Sequence, residues 1–261
     1  MQKTTRQQTR IAVYAIIGLT LCAGVGWLGL SAAEQPPNAR EYREDLRATA
    51  QNVLAPGSAS DPVNSLKIYA VNVFHRTPFE ETFIGDGTYL GNGMILTASH
   101  VAGRWRPFQK PRVLIAGQDL PATFIKNGSL ETVDLALLSV DKSRLPISLR
   151  LRRNPICQGP LRVGAGVLIV TPKTVKRSRV ISPMAIVPQY RKRFGSLIAE
   201  PEGSGSGVFD TGRKCLLGII SRKIEKTGYT LRNGRLVFGP AGFAGYFVPA
   251  SRIERFLAPK F

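Results

Sequence analysis

Carboxylates are scarce in this 261-residue chain, where 17 Asp and Glu stand against 36 Lys and Arg and leave a formal charge of +19. The shortage is concentrated. From Lys142 to Ala199 there is no acidic residue, and the same stretch holds thirteen lysines and arginines, which reads as a basic, solvated face. Nucleic acid is the ordinary partner of such a surface. An apolar N-terminal segment excludes that reading here and directs it to anionic lipid headgroups, anionic envelope polymers or acidic substrates. Histidine occurs only as His75 and His100, and cysteine only as Cys22, Cys157 and Cys215. No internal repeat or low-complexity tract is present, which excludes a solenoid or fibrous design.

What is abundant is turn chemistry. Twenty-six Gly and 18 Pro within a 43% hydrophobic chain point to a globular, turn-rich, all-β protein of one or two domains. Residues 1–10 carry Lys3, Arg6 and Arg10, and Ile11 to Leu30 is free of charge over about a bilayer's thickness. The basic flank predicts a cytoplasmic tail at 1–10, a transmembrane anchor over 11–31 and an exported remainder, periplasmic or extracellular. A signal peptide cut after Ala33 is the competing reading; its apolar region would be unusually long. Residues 34–62 read as a short amphipathic helix, with Tyr42, Leu46, Ala50 and Val53 on one face, and then a linker.

From Leu66 the pattern turns to short strands. Leu66–Val73, Thr82–Leu90, Met94–Ala98, Arg112–Ala116 and Leu135–Val140 form a first half, 65–150. Leu161–Thr171, Ala185–Pro188, Val208–Asp210, Leu216–Ser221, Arg235–Phe238 and Gly245–Val248 form a second, 151–258. Strands at this spacing suggest sandwiches or barrels. Ser251-Arg252-Ile253-Glu254 reads as a capping box that opens a C-terminal helix. With Cys22 in the membrane segment, Cys157 and Cys215 are a disulfide pair in an oxidising compartment, or two buried thiols in a reducing one.

Three stretches carry chemistry. Glu202-Gly203-Ser204-Gly205-Ser206-Gly207 alternates glycine with serine just before an apolar run, a turn able to expose a hydroxyl with amides around it. Leu96-Thr97-Ala98-Ser99-His100 places a histidine past an apolar strand, and Val133-Asp134-Leu135-Ala136 an acid at the head of another. Each alone has an ordinary reading, as a loop serine, a core histidine or a strand-capping aspartate. Together they run His, Asp, Ser, one of the chain orders in which a nucleophilic triad occurs.

On these residues the chain resembles the chymotrypsin-like (trypsin-like) serine endopeptidases. Thr97-Ala98-Ser99-His100 is similar to the family's Thr-Ala-Ala-His, and Asp134-Leu135-Ala136-Leu137 to its Asp-Ile-Ala-Leu. Ser204-Gly205-Ser206-Gly207-Val208 is similar to Ser-Gly-Gly-Pro-Val, and Leu217-Gly218-Ile219-Ile220-Ser221 to Val-Gly-Ile-Val-Ser. The resemblance implies two packed antiparallel β-barrels with the site between them. It implies Ser204 as nucleophile, His100 as base, Asp134 as its orienting acid and Ser221 as support for that acid. Backbone amides of Glu202 and Ser204 would form the oxyanion hole, and Ser221, Arg222 and Lys223 would pair with a polypeptide substrate. Ser204 is preferred to Ser206 because the family's strand valine follows four residues on, at Val208.

Two departures accompany the match. Gly203 stands where the family has an acid, and the Ile-Val-Gly-Gly start is missing, so zymogen activation is not expected. Glu202 stands where the family has the glycine of the oxyanion hole. Counting six back from Ser204 puts Ile198 at the floor of the specificity pocket, which implies an apolar preference. His75 is expected at the surface. No metal, cofactor or following PDZ-type domain is expected. The reading is a membrane-anchored, exported serine endopeptidase; the alternative is an inactive protein of the same fold that binds anionic surfaces or protein partners.

Overall fold

The computed structural model describes residues 64–76, 81–103, 110–200 and 202–258. The segments expected to form a membrane span at 11–31 and a helix and linker at 34–62 lie outside the described residues. Among the described residues no helix is long and apolar enough to cross a membrane.

The first half forms one antiparallel sheet of β1 (Ala70–Arg76), β2 (Glu81–Gly91), β3 (Met94–Thr97), β4 (Lys110–Ile115), β5 (Gln118–Pro121), β6 (Thr123–Asn127) and β7 (Ala136–Ser139). Its spatial order is β5-β4-β1-β2-β3-β7-β6. The two edge strands, β5 and β6, are separated in the chain by Ala122 alone, so the edges meet at one bend and the sheet is rolled. Here the expectation of two barrels needs correction, because β5 and β6 are joined by the chain and not by a hydrogen-bonded ladder. The second half does close its ladder. It comprises β8 (Gly166–Val170), β9 (Val175–Ile181), β10 (Leu197–Ile198), β11 (Gly207–Asp210), β12 (Leu216–Arg232) and β13 (Arg235–Pro249). These form a barrel in the order β10-β13-β12-β11-β8-β9, sealed by β9 against β10.

Among the described residues four short α-helices punctuate the strands: α1 (Ser99–Ala102), α2 (Ile147–Arg150), α3 (Pro188–Arg191) and α4 (Ala250–Leu257). Among the described residues the buried apolar side chains divide into three large clusters and the small pair Phe74 and Leu114. One fills the first sheet with Val71, Val73, Tyr89, Ile95, Val113 and Leu138, and one fills the barrel with Val167, Ile169, Ile198, Val208, Ile220 and Phe247. The third joins the halves, setting Leu96, Leu135 and Leu137 against Leu168, Phe209, Leu216 and Ile219. Each such side chain contributes roughly 1.5–3 kcal/mol by leaving water, so this seam is a fixed joint. The segments that end on it, after β3, before β7 and before β11, are those that carry His100, Asp134 and Ser204.

Several elements differ from the sequence reading. Leu66–Val73 is split into a 3-10 helix at Asn64–Tyr69 and the start of β1. Ala185–Pro188 is no strand. Pro183 and Pro188 each open a helical turn, where a missing N–H costs nothing. The terminal helix begins one residue before the proposed capping box, with Pro249 at its N-cap and no side-chain cap, and Glu254 instead accepts from Gln158 Nε2. The segments read as Leu216–Ser221, Arg235–Phe238 and Gly245–Val248 are parts of one long ribbon, β12–β13, reversed at Asn233-Gly234 with φ of 48° and 73°. Cys157 and Cys215 form a disulfide across 5.0 Å between Cα atoms. It fastens the segment entering the barrel to the base of β12.

Candidate active site

His100 rides on α1, a four-residue turn that follows β3 directly. Ala98 keeps extended angles and its carbonyl accepts from Val101 and Ala102, both at 3.0 Å, so the chain turns sharply out of the strand. Gly103, at φ 76°, ends the turn. His75 supports it from β1. That residue is buried, against the expectation of a surface position, and its Nε2 donates to Ala102 O at 3.0 Å. Burial holds the His75 imidazole below its ordinary value, opposed in part by that hydrogen bond, so it serves as a neutral brace.

Asp134 is 3% exposed and lies in the tight turn entering β7. The turn is closed by Leu135 N–H to Val133 O at 2.7 Å and by Gly128 N–H to Leu135 O at 2.8 Å. A side chain at Gly128 would meet Val133 O at 2.1 Å, so glycine is required there. The carboxylate grips His100 twice: Oδ1 accepts its backbone N–H at 3.1 Å and Oδ2 accepts Nδ1–H at 2.9 Å. Ser221 Oγ donates to the same Oδ2. Burial pushes the Asp134 carboxyl up, but the bonds from His100 and Ser221 outweigh it and leave it below its ordinary value. An ionised carboxylate on Nδ1 leaves Nε2 of a neutral ring free to accept a proton.

The serine-rich turn approaches from the barrel. Gly205 takes φ 91°, and a Cβ there would lie 1.7 Å from Asp86 O. Its N–H donates to Ile220 O at 2.8 Å, and Ser206 O accepts from Ile220 N–H at 2.9 Å, so the turn is stitched to β12. The two serines then differ in kind. Ser206 is fully buried and its hydroxyl donates to Asp86 Oδ2 at 2.7 Å, whereas Ser204 is partly exposed. Ser204 Oγ donates to Ser221 O at 2.9 Å. Among the described residues no hydrogen bond joins Ser204 Oγ to His100. Ser221 thus touches both sides of the site, Asp134 through its hydroxyl and Ser204 through its carbonyl.

The remaining expected residues are dispersed around this centre. The Glu202 carboxylate forms an ion pair with Lys176 of β9, and its backbone is outside the left-handed region that would call for glycine. Ile198 is fully buried in the barrel interior, because counting six back from Ser204 crosses the turn and lands in β10. Arg222 and Lys223 follow Ser221 on β12. The Arg222 guanidinium donates to Leu130 O at 3.2 Å and lies 5.3 Å over the Phe194 ring. Among the described residues no three His, Cys, Asp or Glu side chains are grouped to hold a metal ion.

Sequence reasoning missed Asp86. It lies in β2 between Gly85 and Gly87, is 5% exposed, and is the buried acid nearest the serine turn. Burial and the charge of Glu202 push its carboxyl up to about 6, against hydrogen bonds from Ser206 and Asn72. The signal was available: a lone carboxylate inside an apolar strand needs a partner.

No family model matches the sequence, and no curated protein does. Solved structures do. Kallikrein-related peptidase 10 in complex with zinc is similar at a TM-score of 0.53 and 16% identity, over 73% of this chain and 93% of that one. The inactive Ser343Ala form of Rv3671c from M. tuberculosis matches at 0.48 and 16%, over 78% and 93%. The HtrA-type protease AlgW with a tripeptide matches at 0.49 and 17%, over 80% of this chain and 61% of its own. The chain has the fold of the chymotrypsin-like (trypsin-like) serine proteases.

Proposed function

We propose that the protein is a serine endopeptidase that uses Ser204, His100 and Asp134. The observation that supports this most is the pair of bonds made by Ser221. One residue links the partly exposed Ser204 hydroxyl to the carboxylate that orients His100. In the reaction, Ser204 Oγ attacks the peptide carbonyl while His100 Nε2 takes its proton. Asp134 steadies the imidazolium, and His100 returns the proton to the leaving amine. A water then hydrolyses the acyl-enzyme by the same exchange. The attack requires the Ser204 hydroxyl to leave Ser221 O and turn to His100. Negative charge developing on the carbonyl oxygen would be met by the amides of Ser204 and Glu202. The ion pair with Lys176 offsets the Glu202 charge, which would otherwise oppose that oxyanion. The free edge of β12 at Ser221, Arg222 and Lys223 would take the substrate as an added strand.

The segment at 11–31 would anchor the enzyme with its domain on the exported side of the membrane, or be removed after Ala33. The basic surface would then face anionic lipid or envelope polymer. The test is labelling with a fluorophosphonate, compared with Ser204→Ala. Labelling of the parent protein alone is the expected result, with turnover falling by several powers of ten in Ser204→Ala, His100→Ala and Asp134→Ala and non-additively in the doubles. The bond from Ser204 to Ser221 O favours a second reading, an inactive protein of this fold, which absence of any labelling would support.

A further inference from the structure

We propose that Asp86 is the positioning residue of the serine turn, an acid lent by the first sheet to a turn that belongs to the barrel. This rests on the endopeptidase reading for its catalytic consequence, though not for its geometry. Asp86 meets the turn at every residue from Gly203 to Ser206. Its N–H donates to Ser204 O at 2.9 Å. Its Oδ2 accepts from Ser206 Oγ at 2.7 Å and lies 2.8 Å from where a Cβ on Gly203 would stand. Its carbonyl fills the space beside Gly205 and accepts from Thr97 Oγ1 on β3. The glycines of the turn are therefore set by Asp86 as much as by their own angles. Any side chain at 203 would strike the carboxylate, and any at 205 its carbonyl.

The carboxylate is itself held. Asn72, opposite Asp86 in the β1–β2 ladder, donates from Nδ2 to Oδ1 at 3.1 Å. Asn72 Oδ1 is buried and has no hydrogen-bond partner among the described residues. That orphan acceptor beside a carboxylate permits two arrangements. Ionised, Asp86 only accepts, from Ser206 on one oxygen and Asn72 on the other. Protonated, it carries a hydrogen on Oδ1, which an Asn72 amide turned through half a rotation accepts on its own oxygen. The groups facing Asp86 from β1, β3 and the turn, namely Asn72, Thr97 and Ser206, are uncharged. Among the described residues the charge bearing on it is that of Glu202, paired with Lys176. Proton uptake at Asp86 thus leaves Oδ2 to accept from Ser206 but removes the charge that strengthens that bond, so the ionised form is the one that sets the turn most firmly.

The test compares the parent chain with Asp86→Asn, Ser206→Ala and the double variant, by two independent readouts. Hydrogen exchange at the Gly205 and Ser206 amides is expected to quicken about tenfold or more in each single variant, with little change in β12 beyond Ser221. For fluorophosphonate labelling and peptide turnover, kcat should fall about 10- to 100-fold with KM nearly unchanged, and the double variant should be no worse than the poorer single. As the pH falls, kcat/KM should drop more steeply in the parent than in Asp86→Asn, because only the parent also takes up a proton at residue 86. Parent-like exchange at the turn in Asp86→Asn and Ser206→Ala overturns the inference. So does a pH slope unchanged by Asp86→Asn in an enzyme that labels. If Asp86→Asn does not fold, Ser206→Ala carries both readouts. If the parent does not label, the endopeptidase reading fails, and exchange at the turn still decides the role of Asp86.

Discussion

A buried carboxylate held near neutrality must leave its mark on stability. In the unfolded chain Asp86 titrates near its ordinary 3.8, and in the folded protein burial raises it to about 6. Between those values the folded state holds a proton that the unfolded state has already released. Raising the pH through this window therefore favours unfolding. The stabilising contribution is complete below pH 4 and is lost as the pH passes through about 6. A gap of that width corresponds to roughly 3 kcal/mol. Asp86 is 5% exposed, so solvent screening reduces this little. Urea unfolding of the parent chain and Asp86→Asn at intervals from pH 4 to pH 8 isolates it. The expected outcome is that the parent loses about 3 kcal/mol relative to the variant across that range, with equal m-values. Parallel stability curves would refute the argument, and a gap that opened in the opposite sense would mean that Asp86 is held ionised by groups it does not contact here.

Glu202 raises the Asp86 value through its charge, so Glu202→Gln should move the same window to lower pH, read from the same titration. Reducing the Cys157–Cys215 bridge should lower stability by about 2–4 kcal/mol, since its cysteines are 58 positions apart; free thiols in the unreduced protein would contradict the bond. The basic face predicts that the soluble domain binds anionic vesicles more tightly than neutral ones, with the difference fading at high salt. Equal binding at low ionic strength would remove that reading.

The parts of the candidate site legible in the sequence are those with an abrupt local pattern. His100, Asp134 and Ser204 each stand at an abrupt change from an apolar run to a turn, and the structure puts all three at the seam. Ser221 was legible as the last residue of an apolar strand. Elsewhere the signals failed for physical reasons. β9, Val-Lys-Arg-Ser-Arg-Val-Ile, read as part of the basic face because its outward residues carry the charge, though Val180 is buried and the strand closes the barrel. On the outer part of the ribbon Arg235–Phe238 was legible as a strand, but its partner on β12, Tyr229–Arg232, was missed because its apolar residues have no core to face. Across the ribbon Tyr229 pairs with Phe238 and Leu231 with Leu236, and all four are exposed. The turn residues Asn233-Gly234 were the hairpin signal there. Ile198 was placed by counting, and counting does not see that β10 intervenes.

Asp86 was the hardest to read, because its meaning is wholly tertiary. In the chain it is a polar interruption between two glycines, 118 positions before Ser204. In the fold it is the acid that the serine turn lacks. Gly203 leaves the space that the Asp86 carboxylate occupies, Ser206 supplies the donor, and Asn72 fixes the far oxygen. The arrangement is costly for stability near neutral pH, since a hydrophobic residue at 86 would carry no charge to bury. Its retention follows if the charge is used. A barrel turn tied to an acid on the opposite sheet cannot be set until both halves have folded and met at the seam of Leu96, Leu135 and Phe209. The grip on Ser204 and the joint between the halves then become one event, and a half-folded chain would expose a serine turn that is not yet in register to react.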